Sequence, residues 1–151
     1  MHRILPLLAL APLTAVAADN ERLDDVVVLA THQPTSSFDV PAAVERLDRE
    51  ELTDGRLTVN LSEDLVAVPG VLALNRQNYA QDLALSIRGF GARSAFSVRG
   101  IRLYADGIPA TMPDGQGQFS HFDLAGAQTL EVLKGPFSVL YGNAAGGAIA
   151  I

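Results

Sequence analysis

The sequence predicts an α+β fold, and three observations lead there. Short apolar–polar alternations end in glycine or proline, two segments carry helix-start signals, and an Asp-Gly pair separates two apolar runs. Alternation with period two marks half-buried strands, whereas an Asp or Asn followed three residues later by Glu marks a helix N-terminus. With 151 residues, 48% hydrophobic and 19% charged, the chain can enclose one modest core.

Composition removes several function classes. Cysteine is absent, which excludes disulfides and thiolate metal sites, and His2, His32 and His121 are too scattered for a metal cage. The formal charge is −6 and Lys134 is the single lysine, so the basic face that a nucleic-acid binder needs is missing. Carboxylates are plentiful, but none stands with a histidine and a nucleophile in a recognisable catalytic pattern. Gly89-x-Gly91 lacks the third glycine and the following helix of a dinucleotide fingerprint. No catalytic residue, metal site or cofactor is assigned.

The chain opens with a basic Met1-His2-Arg3, an apolar Ile4 to Leu13 and a small-x-small Ala15-Val16-Ala17. This pattern is that of a secretory signal peptide over residues 1–17, cut before Ala18. The apolar run is too short to span a bilayer as a helix, which needs about 20 residues. Cleavage removes Arg3 and takes the formal charge from −6 to −7. Residues 18–37 are polar except for Val26 to Ala30, a β-branched run suited to an extended backbone and, near a terminus, to adding itself to another protein's sheet edge.

A folded domain is expected over residues 38–151, with a first strand within Phe38 to Leu47. Asp48 as N-cap with Glu51 three residues on starts a short helix that Gly55 stops. Asn60 and Glu63 repeat the pattern, placing Leu61, Leu65 and Val68 on one helical face before Pro69-Gly70 ends the segment. Asn60-Leu61-Ser62 also matches a glycosylation sequon, although capping accounts for it. Strands follow at Val71 to Leu74, at Leu83 to Ile87 and at Ile101 to Ala105, the last closing on the Asp106-Gly107 turn. Polar loops run over Asn75 to Asp82, Gly91 to Gly100 and Ala110 to Phe122, and long loops of this kind often carry function. A helical turn is expected over Asp123 to Gln128. Thr129 to Lys134 alternates as a strand that Gly135-Pro136 stops, Phe137 to Tyr141 fits one helical turn, and Ala148 to Ile151 fits a final strand.

The wording of these segments resembles one family. Glu131-Val-Leu-Lys-Gly-Pro136, Leu140-Tyr-Gly142 and Gly146-Gly-Ala-Ile-Ala-Ile151 are similar to the end of the plug domain of TonB-dependent outer-membrane receptors. Val68-Pro-Gly-Val71, Arg88-Gly-Phe90 and Tyr104 to Pro109 resemble the same family, in its order. The resemblance implies a small plug with a mixed sheet of about four strands and short helices, filling the lumen of an outer-membrane barrel. The family continues into that transmembrane β-barrel after its last plug strand. Such a barrel needs at least eight strands of about 9–11 residues, and these are not within this chain.

By resemblance, Asp25, Val26, Val27, Val28, Leu29 and Ala30 look like a TonB box, the segment that periplasmic TonB grips. Arg88, Glu131 and Lys134, in the most family-like phrases, are candidates for a charged latch. A small-molecule ligand would bind at the extracellular apex, where the candidates are Arg93, Phe96, Met112, Asp114, Gln116 and Gln118, with Arg99 as a further guanidinium. The phrases Arg88 to Arg93 and Met112 to Gln118 resemble a subgroup associated with pyrroloquinoline quinone uptake, while ferric-siderophore receptors are the more numerous relatives. Both ligand types are anionic, and guanidinium groups bind carboxylates bidentately. The alternatives are a freestanding periplasmic binding module and a structural outer-membrane component built on a plug-like domain.

Overall fold

A computed structural model describes residues 27–28, 33–78, 81–95, 97–136 and 138–151. The expected signal peptide and Asp25, Val26, Leu29, Ala30 and Phe96 lie outside them. In chain order come β1 (Val27–Val28), β2 (Thr35–Ser36), β3 (Ala43–Asp48), α1 (Arg49–Thr53), α2 (Ser62–Leu65), β4 (Val71–Leu74) and β5 (Ala84–Ile87). They are followed by β6 (Val98–Arg99), β7 (Ile101–Ala105), β8 (Ile108–Pro109), β9 (Gln116–Gly117), β10 (Thr129–Lys134), α3 (Ser138–Tyr141) and β11 (Gly147–Ala150).

The main sheet has the order β3-β10-β11-β7-β8, five strands where about four were expected. It is mixed: β11 runs parallel to β7, and the other pairs are antiparallel. The fifth strand follows from Asp106 (φ 49°) and Gly107 (φ 75°), whose positive φ values form the tight turn that folds β8 back on β7. Three two-stranded pairs, β1–β2, β4–β5 and β6–β9, complete the pattern.

The sheet buries both faces. On one, Leu130, Val132, Ile149, Ile101 and Leu103 pack with Leu61, Leu65 and Val68 around α2 and with Leu83, Leu85 and Ile87 along β5. On the other, Leu133, Ala148, Ala144 and Tyr141 form a smaller cluster with Val44 and Tyr104. The rings of Tyr104 and Tyr141 meet edge to face at 5.4 Å. Burial, with Tyr104 and Glu131 adding to it, pushes the Tyr141 hydroxyl up to about 12. Strand β10 is buried along all but its first residue, because β3 and β11 flank it and a cluster covers each face. Glu131 and Lys134 are therefore buried rather than facing solvent.

The helix signals act as expected. The Glu51 carboxylate accepts the Asp48 N–H at 3.1 Å, closing a capping box at α1. The Asn60 side-chain oxygen accepts the Ser62 N–H at 3.0 Å, while Glu63 accepts the Asn60 N–H at 3.1 Å. Asp123 to Gln128 forms a turn and not a helix, since Asp123 Oδ1 takes the Gly126 N–H at 3.1 Å and competes with helical pairing.

One ion pair ties the two helical segments together. Asp64, its side chain 2% exposed, lies 3.1 Å from Arg56 Nη1, and Arg56 also donates to the Glu51 carbonyl at 2.6 Å. Burial raises the Asp64 carboxyl above its ordinary value despite Arg56. The folded chain therefore holds that proton more tightly than the unfolded one. The associated stability is complete below the unfolded value of 3.8 and lost as pH rises through the folded value. Arg56→Ala strands the buried carboxylate, so urea denaturation should show a loss of about 3–5 kcal/mol at neutral pH. The loss should shrink in acid, where a protonated Asp64 needs no cation. An equal loss at both pH values would show that Arg56 acts through packing alone.

Candidate functional site

Three loops meet beside the β6–β9 pair. The first follows β4, and Arg76 within it donates from Nη2 to the Ser94 carbonyl at 3.4 Å, joining it to the second loop. Ser94 in turn donates to the Ser97 carbonyl at 2.7 Å. The third loop was expected to be a long irregular stretch, but its centre is a tight hairpin. The Asp114 carboxylate accepts the Gln116 N–H at 3.0 Å, the Gly115 N–H reaches the Met112 carbonyl at 2.9 Å, and Gly115 has φ 84°. An Asp-Gly pair after proline suits such a turn, because the Asp side chain bonds its own backbone and glycine takes the positive φ. The hairpin leaves β9 paired with β6 in the register Val98↔Gly117 and Arg99↔Gln116.

This pairing decides the fate of the guanidinium at 99. Arg99 Nη2 lies 3.6 Å from Asp114 Oδ2 and 3.3 Å from Gln116 Oε1, so its charge is already opposed within the loop pair. Arg93 is exposed and makes no ion pair among the described residues. Between the loops is a cavity of about 100 Å³ lined by Arg76, Gln81, Asp82, Ala95, Ser97, Gln116 and Gln118. Of the residues singled out in the sequence, Gln116 and Gln118 line it. Asp114 is held by Arg99, Met112 is half exposed, and Phe96 lies outside the described residues.

Arg76 was not singled out, although its loop was. The residue lines the cavity, and its Nε is buried without a hydrogen-bond partner among the described residues. The only sequence signal was an arginine two residues beyond a strand end, in a polar loop. A half-buried guanidinium with spare donors can bind a carboxylate or another anionic group. Among the described residues no group of three His, Cys, Asp or Glu could hold a metal ion.

The latch candidates do not form one cluster. Glu131 and Lys134 are three apart on a strand and so face opposite sides of the sheet. Glu131 Oε1 lies 3.9 Å from Arg46 Nη1, and Lys134 Nζ lies 2.8 Å from Glu45 Oε1. Lys134 also donates to the Pro69 carbonyl at 3.3 Å, while the Arg88 N–H donates to the Gly70 carbonyl at 2.9 Å. Arg88 and Lys134 thus meet at the Pro69-Gly70 turn, with the Arg88 side chain exposed. In the N-terminal segment, β1 pairs antiparallel with β2 in the register Val27↔Ser36 and Val28↔Thr35.

Comparison with known proteins agrees with this architecture. The family described as TonB-dependent Receptor Plug Domain matches residues 36–149. The chain is 30% identical over 156 residues to the vitamin B12 transporter BtuB of Photobacterium profundum, covering 99% of this chain and 24% of that protein. It is 29% identical over 140 residues to a hemin receptor of Yersinia pestis, covering 91% of this chain and 19% of the relative. The chain therefore spans about a quarter or less of the length of these relatives. The ferric yersiniabactin uptake receptor FyuA from Yersinia pestis shares the fold with a TM-score of 0.55 and 26% identity, over 73% of this chain and 16% of that one. The ferric enterobactin receptor PfeA from Pseudomonas aeruginosa shares it with a TM-score of 0.53 and 21% identity, over 74% and 17%. The match over residues 36–149, on the mixed sheet and short helices described above, shows that the chain belongs to the TonB-dependent receptor plug-domain family.

Proposed function

We propose that this chain is the plug of an outer-membrane receptor that binds a small anionic ligand at the three-loop face and gates its energised uptake. The observation that carries the reading is the convergence of the three loops on a cleft of about 100 Å³ lined by the half-buried Arg76, room for one anionic group of a larger ligand. The ligand class is a ferric siderophore or a flat polycarboxylate such as pyrroloquinoline quinone. Family membership supports the remaining parts: a surrounding barrel, periplasmic TonB gripping Asp25 to Ala30, and an outer-membrane location reached through the signal peptide. In the same reading Arg88, exposed beside Pro69-Gly70, takes a barrel charge as a latch, while Lys134 and Glu131 are held inside the plug by Glu45 and Arg46.

Calorimetry of the full-length receptor with a ferric chelate and with pyrroloquinoline quinone tests the ligand site. Arg76→Ala should weaken binding of the true ligand by about 1.5–3 kcal/mol, the range for hydrogen bonds to charged groups. Arg99→Ala should cost less, because Asp114 and Gln116 already occupy that guanidinium. Loss of affinity in Arg99→Ala with none in Arg76→Ala would place the anion on the other side of the β6–β9 pair.

A further inference from the structure

The hairpin that carries Asp114 and Gln116 to the three-loop face has little support of its own. Its ladder, β6 against β9, is two residues long on each side, and an isolated two-stranded pair is marginal in water. The base is anchored. Thr111 is buried and its hydroxyl accepts the Leu103 N–H at 2.8 Å, and a Cβ on Gly117 would stand 2.7 Å from Leu103 Cδ1. The tip has the Arg99–Asp114 pair, but both side chains are more than half exposed, and such a pair contributes little.

The tip is nevertheless covered. Gly115 is buried, while Met112, Pro113 and Asp114 just before it are exposed. The cover is Asn143, from the connection between β10 and β11. Its side-chain amide fills the space that a Cβ on Gly115 would take, with Cγ 2.9 Å from that position. This connection is itself held firmly. Tyr141 and Ala144, on either side of Asn143, are buried in the smaller cluster, and the Gly146 N–H donates to the Gly100 carbonyl at 2.8 Å.

We propose that Asn143 is a positioning residue of the ligand site, holding the hairpin tip by shape and with it Gln116 at the cleft and Asp114 against Arg99. This role presupposes the anion site proposed above. Asn143 does not line the cleft, so it acts through Gly115 and not by contact with the anion. A cleft of about 100 Å³ tolerates little displacement of a lining side chain, and a site on loops is precise only where neighbours lock those loops.

Hydrogen exchange over residues 112–117 of the unliganded full-length receptor, beside calorimetry with ferric citrate and with pyrroloquinoline quinone, tests the proposal. The Gly115 N–H donates to the Met112 carbonyl, and Asn143→Ala should speed its exchange about tenfold. The same variant should weaken the compound that binds about tenfold, at the parental Tm. Asn143→Leu has the same branch at Cγ and should keep most of the protection and affinity. Gly115→Ala closes a double-mutant cycle. Its φ of 84° strains alanine in either background, but the new methyl collides only while the Asn143 amide is present. Gly115→Ala should therefore cost about fivefold less protection and affinity in Asn143→Ala than in the parental receptor. Unchanged exchange in Asn143→Ala, an equal loss in Asn143→Leu, or strictly additive effects of the pair would overturn it. If neither compound binds the parental receptor, the anion site falls, and the exchange measurements by themselves decide whether Asn143 holds the hairpin.

Discussion

Val27→Pro should abolish energised uptake by the full-length receptor while leaving equilibrium binding of ligand at the outer face unchanged. The pairing of Val27 and Val28 with Ser36 and Thr35 gives this segment an extended backbone already committed to a β-ladder. β2 takes one side of β1, and a strand arriving on the other side would extend the sheet through main-chain hydrogen bonds. Proline removes one amide donor and fixes φ, so it damages both the hairpin and any added strand. The proposed ligand site is on loops that begin almost fifty residues later and does not include this backbone. Substrate accumulation in cells set beside ligand binding to isolated membranes separates the two steps. Uptake at the parental rate would mean that TonB engages a different segment.

Gly147→Ala should prevent stable folding. Gly147 has φ 138°, and in the sheet it stands between Lys134 of β10 and Ile101 of β7. A Cβ there would fall on the carbonyl oxygen of Leu133, which is backbone in the middle of the sheet and has no rotamer by which to move aside. Strained φ costs about 1–3 kcal/mol, and forcing atoms into a packed core about 1–3 kcal/mol more. Together, about 2–6 kcal/mol, these reach the lower end of the total stability of a small domain, about 5–15 kcal/mol. Gly89→Ala is the control: φ is 89°, but nothing lies within 4 Å of the added methyl, so only the strain remains. Urea denaturation should show a modest loss for Gly89→Ala and no cooperative transition for Gly147→Ala. A parental midpoint for Gly147→Ala would mean that β10 and β11 can re-register.

The sequence by itself determined the local elements and the family. Asp48 with Glu51, and Asn60 with Glu63, mark helix starts because the capping partners are three residues apart and need no distant group. Leu61 and Leu65 are buried together because they stand one helical turn apart, and Val68 joins them from the turn that follows α2. Asp106-Gly107 announces its hairpin because the two positive φ values are a property of those residue types. Tertiary structure alone decided what depends on register between distant strands. Alternation in Thr129 to Lys134 is compatible with one solvated face, and only the flanking of β10 by β3 and β11 buries both. The partner of Lys134 is Glu45, 89 residues away, and a shift of one residue in the β3–β10 register would turn Glu45 to the other face. Arg99 resembled a free ligand-binding cation until the β6–β9 pairing set Gln116 opposite it and brought Asp114 within reach. Arg76 gained its place only when its loop closed against Ser94. Charges on loops take their partners from whichever segments the sheet brings near, and no local pattern encodes that choice.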